Sequence, residues 1–478
     1  VAVLDFNAEL YRQTRSDEAI KRLWLKLRDW GNALWFGYDH SVFFKVLFPY
    51  SFSSLSDAEQ KVANSLYVCC EAWAEAIMNV EAPVVGISVC AANLLPGLLL
   101  SMIVKRRDSG KVVIFGGPEC TRWNRARFIA HTGWADAVVM GEGEATLSEL
   151  IRSVRECGKV RGCPGALVRS NGEIVDGGTR PLLGDIDDLP NLDYAGFDLN
   201  GYWMHSTFGL DMGRGCLGRC TFCEDWKVWK CYRARDPARI VDEIEDLVNR
   251  YGARFFCFSS CLVNGNPDHL SRFCDLLIEK KLGIYWSGNA RAVSMEPGLM
   301  DKMRASGCFH LSYGLESASP KVLRSMRKGY RVEEMGEVLV ETHKRGIDIL
   351  AMWIVGYPTE TEEDFRETLE FIRRYGECMT VIQFAPCNIV PGSYLYDHHG
   401  DYGVELPPYD RNFPQEVRYC CDHFFPHEYA HTPYWWTRGG MNTFEVRVDR
   451  LNRARALADS VGVKEFVPDP ILREPMAS

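Results

Sequence analysis

GRGCLGRCTFC, residues Gly213–Cys223, sets three thiols at the spacing C-x3-C-x2-C. Thiolates are the usual ligands of iron–sulfur clusters. A cubane cluster has four irons, so Cys216, Cys220 and Cys223 would leave one iron open to another ligand. Gly213, Gly215 and Gly218 give the loop the freedom to wrap a cluster. Two other readings stay open on these residues alone. One is a zinc site with Cys231 as fourth ligand; the other is an ordinary four-cysteine electron-transfer cluster. A four-cysteine zinc site more commonly uses two C-x2-C knuckles, whereas one pair here is C-x3-C and Cys231 lies well beyond Cys223.

Working outward from the cysteines, strand and helix patterns alternate. The strands read as Phe208–Gly213, Arg254–Ser259, Gly283–Gly288, Phe309–Gly314, Asp348–Val355 and Thr380–Ala385. Between them lie amphipathic stretches such as Ala238–Arg250, Asp268–Lys280, Val332–Arg345 and Glu362–Tyr375, with apolar residues at helical spacing. Six β/α units are too few for a closed eight-fold barrel, so a partial (β/α)6 barrel is predicted, with its active groups at the C-terminal strand ends.

Upstream the same alternation holds. Strands are predicted at Val1–Asp5, Pro83–Ser88, Lys111–Gly116 and Asp136–Met140, and helices at Ser56–Met78, Pro96–Arg106 and Glu144–Val154. The fold class is therefore α/β, with an N-terminal doubly wound, Rossmann-like parallel sheet. Val1–Asp5 reads as a strand already in progress, so a further strand and helix are expected ahead of it. The run RSNGEIVDGG (Arg169–Gly178) reads as a hairpin. GDIDDLPNLDYAGFD (Gly184–Asp198) reads as a strap between domains. The domains are thus expected at 1–164, 165–204 (strap), 205–396 (barrel) and 397–478 (an extension and possible substrate lid).

Bulk composition narrows the class. The chain has 478 residues, 46% of them hydrophobic, enough for more than one core. Its net charge of −9 and lack of a long basic run argue against a nucleic-acid partner. Eighteen cysteines without the pattern of a secreted scaffold fit reduced thiols, some binding metal. The most apolar run, Leu94–Val104, contains Pro96 and Gly97 and is too short to span a bilayer. A cytoplasmic protein without a membrane partner is expected.

C-x3-C-x2-C with aromatic Phe222 before the last cysteine resembles the signature of the radical S-adenosylmethionine (SAM) superfamily. YGLESASPKVLRSMRKG (Tyr313–Gly329), MWIVGYPTETEEDF (Met352–Phe365) and VPGSYLY (Val390–Tyr396) resemble, in order, further motifs of one branch. The resemblance implies a [4Fe–4S] cluster on Cys216, Cys220 and Cys223, with SAM chelating the open iron. One electron from a donor such as flavodoxin or ferredoxin would cleave SAM to a 5′-deoxyadenosyl radical, which takes hydrogen from an unactivated carbon. Phe222, Arg291, Glu316 and Ser317 stand at positions implied to contact SAM: guanidinium for its carboxylate, carboxylate for its ammonium. Relatives often carry acidic groups where this chain has Ser259, Ser260 and Cys261.

VVGISVC, VVIFGGPE and AVVMGEGEATLSEL (Val84–Cys90, Val112–Glu119 and Ala137–Leu150) resemble the cobalamin-binding domain that precedes the barrel in one large class. That class includes the anaerobic magnesium-protoporphyrin ester cyclase type. Ser88, Gly116, Gly117, Gly141 and Glu142, at three strand ends, are the implied cobalamin contacts. No D-x-H-x-x-G motif offers a cobalt-ligating histidine. The class implies a C-methyltransferase in which SAM both remethylates cobalamin and generates the radical. The rival within the class is an oxidative cyclase or rearrangement enzyme working without methyl transfer on a small-molecule or peptide substrate. A transfer-RNA methylthiotransferase should carry three more cluster cysteines and a basic tail, and Cys69, Cys70, Cys90 and Cys120 do not form that pattern. A non-enzymatic iron–sulfur or cobalamin protein would leave the SAM motifs without a role. In the tail, His423, His427 and His431 share helical spacing, but Pro426 and Pro433 interrupt it, so a substrate wall or plain packing is preferred to a metal site.

Overall fold

The computed structural model describes residues 2–6, 57–90, 93–122, 125–202, 206–390, 392–406 and 435–466. The histidines at 423, 427 and 431 lie outside these residues, as do the side chains at 259–261. The chain divides into two compact units.

The first unit holds a five-stranded sheet. Its elements are α1 (Asp57–Met78), β1 (Val84–Ser88), α2 (Leu94–Arg107), β2 (Val112–Gly116), α3 (Ala126–His131), β3 (Ala137–Val139), α4 (Glu144–Cys157), β4 (Ala166–Ser170) and β5 (Glu173–Asp176). Strand order follows the chain. β1, β2 and β3 are parallel, in the register Ser88↔Gly116 and Phe115↔Val138. Alternating strand residues serve two cores. Val113, Phe115 and Val138 pack with α1, α2 and α3, whereas Val112, Ile114, Ala137 and Val139 pack with Leu150 and Val154 of α4. Helices thus cover both faces, as expected for a doubly wound sheet.

Two features of this unit differ from the reading of the sequence. Antiparallel β4 and β5 extend the parallel strands, pairing Ala137↔Val168 and Val168↔Val175. Their turn is Asn171–Gly172, both at positive φ (53° and 86°), the backbone that best matches strand twist in a two-residue hairpin. Residues 2–5 form no strand. They are held instead by the Tyr202 hydroxyl on the Asp5 carboxylate and by Phe6 stacked on Trp73 at 5.0 Å. The apolar run Leu94–Val104 is a helix buried on all sides, as a helix without a polar face must be.

The second unit is built on β6 (Thr207–Gly209), β9 (Phe255–Leu262), β10 (Tyr285–Ala290), β11 (Cys308–Glu316), β12 (Asp348–Val355), β13 (Val381–Pro386) and β14 (Lys464–Glu465). These seven are hydrogen-bonded in that order, every pair parallel. This is an open α/β barrel sheet. Six strands were expected; β14 adds a seventh through Val381↔Lys464 and Ile382↔Glu465. Helices α6 (Pro237–Tyr251), α7 (Pro267–Lys280), α8 (Pro297–Ala305), α9 (Pro320–Ser325), α10 (Val332–Lys344), α11 (Glu362–Tyr375) and α13 (Phe444–Ser460) accompany it; α5 (Asp225–Trp229) and α12 (Tyr394–Asp397) are short. Asp236 starts α6 by accepting from the N–H groups of Ala238 and Arg239, with Pro237 in the first turn where its missing N–H costs nothing.

Period-two alternation gives each barrel strand a helix face and an open face. On the helix face Trp286 meets Phe258 and Phe273, Trp353 meets Phe371, and the Tyr313 hydroxyl bonds Thr342 at 3.0 Å. The opposite positions Ser287, Asn289, His310, Ser312, Met352, Ile354 and Gln383 are half-buried.

The first barrel strand is shorter than predicted. After Gly209 the chain leaves the sheet, and β7 (Gly213–Arg214) pairs antiparallel with β8 (Arg233–Ala234). That two-stranded ribbon lifts the intervening cysteine loop off the end of the barrel strand.

Candidate functional site

The cysteine loop is closed at its base by the ribbon. A Cβ on Gly215 would collide with the backbone carbonyl of Cys231, so Cys231 contributes its main chain here, and its side chain is exposed. Gly218 lies between two of the thiols. A Cβ there would fall 3.4 Å from Cys216 Sγ and 3.5 Å from Cys220 Sγ, and the Gly218 N–H donates to Cys216 Sγ at 3.2 Å. Burial raises the Cys220 and Cys223 thiols above their ordinary range, and each also feels the charge of Cys216. Cys216 Sγ and Cys220 Sγ thus stand on either side of Gly218.

Among the described residues no three His, Cys, Asp or Glu side chains stand at the separations that hold a single metal ion. A four-iron cluster, with each thiolate on its own iron, asks for a wider spacing than one ion does. The Gly218 cradle between two sulfurs suits that larger group.

The loop is pinned from above by three other elements. The Thr221 N–H donates to Met326 O at 2.9 Å, and the Thr221 carbonyl accepts from Leu395 N at 2.7 Å. Its hydroxyl meets the Tyr357 hydroxyl at 2.7 Å, both residues being wholly buried. Tyr357 belongs to the turn GYPTE (Gly356–Glu360), which α13 clamps. Asn442 Nδ2 donates to the carbonyls of Gly356 and Tyr357, both at 2.9 Å. Arg450 donates to Glu360 Oε2 at 3.0 Å with both side chains nearly fully buried, and that oxygen also accepts from Gly356 N at 2.8 Å. Arg447 lies over the Trp435 ring at 3.8 Å, and the Trp435 indole donates to Cys387 O. Within the C-terminal extension, Trp435, Asn442, Arg447 and Arg450 thus form a structural clamp on this turn and its surroundings.

Of the four expected SAM residues, three gather beside Cys220. Glu316 is nearly buried and adopts φ 67°, a left-handed backbone that bends its carboxylate back over the strand. Lys328 Nζ donates to Glu316 Oε1 at 2.8 Å and lies 5.7 Å from the Phe222 ring centre. Arg291 donates to Lys328 O at 3.3 Å and sits 5.5 Å from the Tyr330 ring. After burial, the charges acting on the Cys220 thiol include Lys328, Glu316 and Arg291. Asn264 fixes the Arg291 backbone from both sides, accepting from its N–H and donating to its carbonyl, each at 2.9 Å. Ser317 is turned elsewhere: its hydroxyl lies 3.4 Å from Thr368 Oγ1 and accepts from Ser319 N. Lys328, Asn264, Thr221 and Tyr357 were not anticipated. A lysine or asparagine in a turn carries no pattern, although the Lys328–Gly329 step does close the motif after β11.

In the first unit the five expected cobalamin residues lie at the C-terminal ends of adjacent parallel strands. Ser88 is exposed and in register with Gly116. A Cβ on Gly116 would meet only Val139, at 3.9 Å, and one on Gly141 would meet nothing within 4 Å. Both therefore border open space. Gly117 differs. Its φ is 104°, and a Cβ there would come within 2.5 Å of Val89 O, so this glycine is required by the chain's own packing. The buried Glu142 carboxylate accepts from the Leu183 N–H at 2.7 Å and thereby holds the following segment. A buried ion pair between Arg125 and Glu119 ties the loop after β2.

The model of the Radical SAM superfamily matches residues 210–372, the stretch containing the cysteine loop, Arg291, Glu316 and the GYPTE turn. The chain carries a radical SAM domain. An uncharacterized methyltransferase of Pyrococcus horikoshii is 26% identical over 68% of this chain and 71% of its own length. The anaerobic magnesium-protoporphyrin IX monomethyl ester cyclase of Rubrivivax gelatinosus is 28% identical over 68% of this chain, which spans 60% of that protein. Among solved structures, the radical SAM methyltransferase TsrM of Kitasatospora setae, with cobalamin and a [4Fe–4S] cluster bound, is similar with a TM-score of 0.64 at 15% identity. That match covers 92% of this chain and 90% of TsrM. The cobalamin-dependent radical SAM enzyme OxsB gives a TM-score of 0.62 at 15% identity, over 81% of this chain and 59% of OxsB. At such identities the likeness is one of fold, and it extends beyond the radical SAM domain into the first unit. No helix among the described residues is long and apolar enough to cross a membrane.

Proposed function

We propose that the chain is a cobalamin-dependent radical SAM C-methyltransferase acting on an unactivated carbon of a small molecule or peptide. The gathering of Phe222, Arg291 and Glu316 around the Cys216–Cys223 loop carries the reading. In it, Cys216, Cys220 and Cys223 hold a [4Fe–4S] cluster that supplies one electron to SAM when loaded. Glu316 would accept from the SAM ammonium through Oε2, because Lys328 already occupies Oε1. Arg291, whose backbone is fixed by Asn264, would receive the SAM carboxylate. The half-buried open-face residues Ser287, Asn289, Ser312, Met352 and Gln383 would line the substrate space, polar enough to orient a ligand and apolar enough to exclude water.

Residues 1–164 are the proposed cobalamin-binding part, supported by Ser88, Gly116 and Gly141 bordering open space at the ends of parallel strands, where such sheets bind ligands. Cobalamin would supply the methyl group. An external one-electron donor of the flavodoxin or ferredoxin kind completes the set of partners.

The likeness to the Rubrivivax cyclase over two thirds of this chain favours a second reading, oxidative cyclisation without methyl transfer. Incubation with deuteromethyl SAM and candidate substrates separates the two by mass spectrometry. Methyl transfer gives a product carrying the labelled methyl group together with 5′-deoxyadenosine. 5′-Deoxyadenosine with an unlabelled, oxidised product would refute the methyltransferase reading.

A further inference from the structure

Lys328 lies in the run SMRKGY (Ser325–Tyr330), on the turn after α9. Its side chain is mostly buried, and its ammonium stands between the rings of Phe222, 5.7 Å away, and Tyr330, 5.3 Å away. A Cβ on Gly314 would come within 2.5 Å of Glu316 Oε1 and 3.1 Å of Lys328 Nζ. The Lys328–Glu316 pair therefore fills space that only a glycine at 314 leaves free. Burial alone would favour a neutral lysine, but the Glu316 carboxylate at 2.8 Å outweighs it and keeps the ammonium charged. Phe222, whose ring the ammonium faces, lies in the cysteine loop between Cys220 and Cys223.

We propose that Lys328 is a positioning residue that holds the Glu316 carboxylate over Gly314 and whose fixed charge, at the edge of the cysteine loop, favours the reduced cluster. The inference rests on the three-thiol reading of Cys216, Cys220 and Cys223. The step concerned is a one-electron transfer. The cluster gains one electron from a low-potential reductant, which loses one; no bond breaks and no proton moves. The added negative charge is stabilised by a nearby cation, and the effect is stronger where water is excluded. Net charge and hydrogen bonding around the sulfurs set cluster potentials over a wide range.

The test uses the full chain, reconstituted anaerobically with iron and sulfide. Lys328→Met keeps the length and the contact with both rings but removes the charge; Lys328→Arg keeps the charge. Iron per chain is measured first, then the cluster midpoint potential by redox titration followed by electron paramagnetic resonance. At equal iron content, Lys328→Met should lower the reduced-to-oxidised ratio at a fixed potential about tenfold, or about 59 mV for a one-electron couple. Lys328→Arg should recover most of that shift. Unchanged potential in a fully loaded Lys328→Met overturns the proposal. Where Lys328→Met fails to load, Lys328→Gln is judged by the same criterion, and iron loss in both neutral variants also overturns it, reducing Lys328 to a determinant of folding. A wild-type chain that takes up no cluster refutes the three-thiol reading itself, a result distinct from the others.

Discussion

The Thr221–Tyr357 hydroxyl pair allows the bracing of the cysteine loop to be measured directly. Tyr357→Phe deletes one oxygen without changing packing. The wholly buried Thr221 hydroxyl then keeps only the Ser325 carbonyl at 3.5 Å, too long to replace a 2.7 Å bond. A lost buried hydrogen bond that strands its partner costs ~1–3 kcal/mol. For a domain of this size about 2 kcal/mol lowers the melting temperature by roughly 4–8 °C. Thr221→Val removes the other half at the same shape. If the two hydroxyls act through each other, the double variant should be little worse than either single one, with a coupling energy of about 2 kcal/mol, the cost of one single variant. The assay is anaerobic thermal unfolding of the four proteins, paired with the rate at which a chelator strips iron from the reconstituted chain. That rate should rise about fivefold in each single variant, since about 1 kcal/mol of restraint is released. Additive destabilisation with unchanged iron loss would show that the bond does not hold the loop.

Four further outcomes are expected. Cys216→Ala, Cys220→Ala and Cys223→Ala should each lose most of the reconstituted iron, while Cys231→Ala keeps it; equal loss in Cys231→Ala would overturn the three-thiol reading. Gly116→Leu should abolish cobalamin uptake and leave iron content unchanged, because its side chain would enter open space beside Ser88. Gly117→Leu should instead destabilise the first unit whether or not cobalamin is added, since its Cβ meets Val89 backbone at a φ disfavoured for leucine; circular dichroism and cobalamin absorbance tell the two variants apart. Asp364 is held down to about 2, because Lys321, Thr361 and Ser319 outweigh the opposing effect of burial. A depressed carboxyl stabilises the fold above its unfolded value and loses that contribution as pH falls toward its folded value. Asp364→Asn should therefore cost about 2 kcal/mol at neutral pH, and the gap should narrow steadily below pH ~4; a gap independent of pH would exclude an ionic role.

The sequence disclosed what depends on period and spacing. The cysteine triplet is local, and Asp348–Val355 and Glu362–Tyr375 emerge with the bounds read from their apolar patterns. Contacts made across the chain were not legible. Lys328 and Asn264 matter because the fold brings them to Glu316 and Arg291, and nothing beside them in the chain says so. Lys464–Glu465 is too short to show alternation and becomes a strand only through the ladder offered by Val381 and Ile382. Ala2–Asp5 has strand-like composition, but no neighbouring strand there offers it a ladder. Of the strand-end glycines, Gly116 and Gly117 look alike in sequence. Their difference lies in the Val89 backbone, which approaches one and not the other.

The clamp of α13 on the GYPTE turn also bears on how the protein is made. During synthesis the three cysteines leave the ribosome long before Asn442, Arg447 and Arg450, and contacts so distant in sequence form late. Until those residues emerge, the two carbonyls of the turn bearing Tyr357 lack Asn442, and the loop below it is braced only by Met326, Leu395 and an unclamped Tyr357. The thiols therefore pass through the interval between Cys223 and Arg450 in a loop that is not yet clamped. On the three-thiol reading of the loop, cluster delivery would follow closure of that clamp, and thiols oxidised in the interval would no longer take up iron.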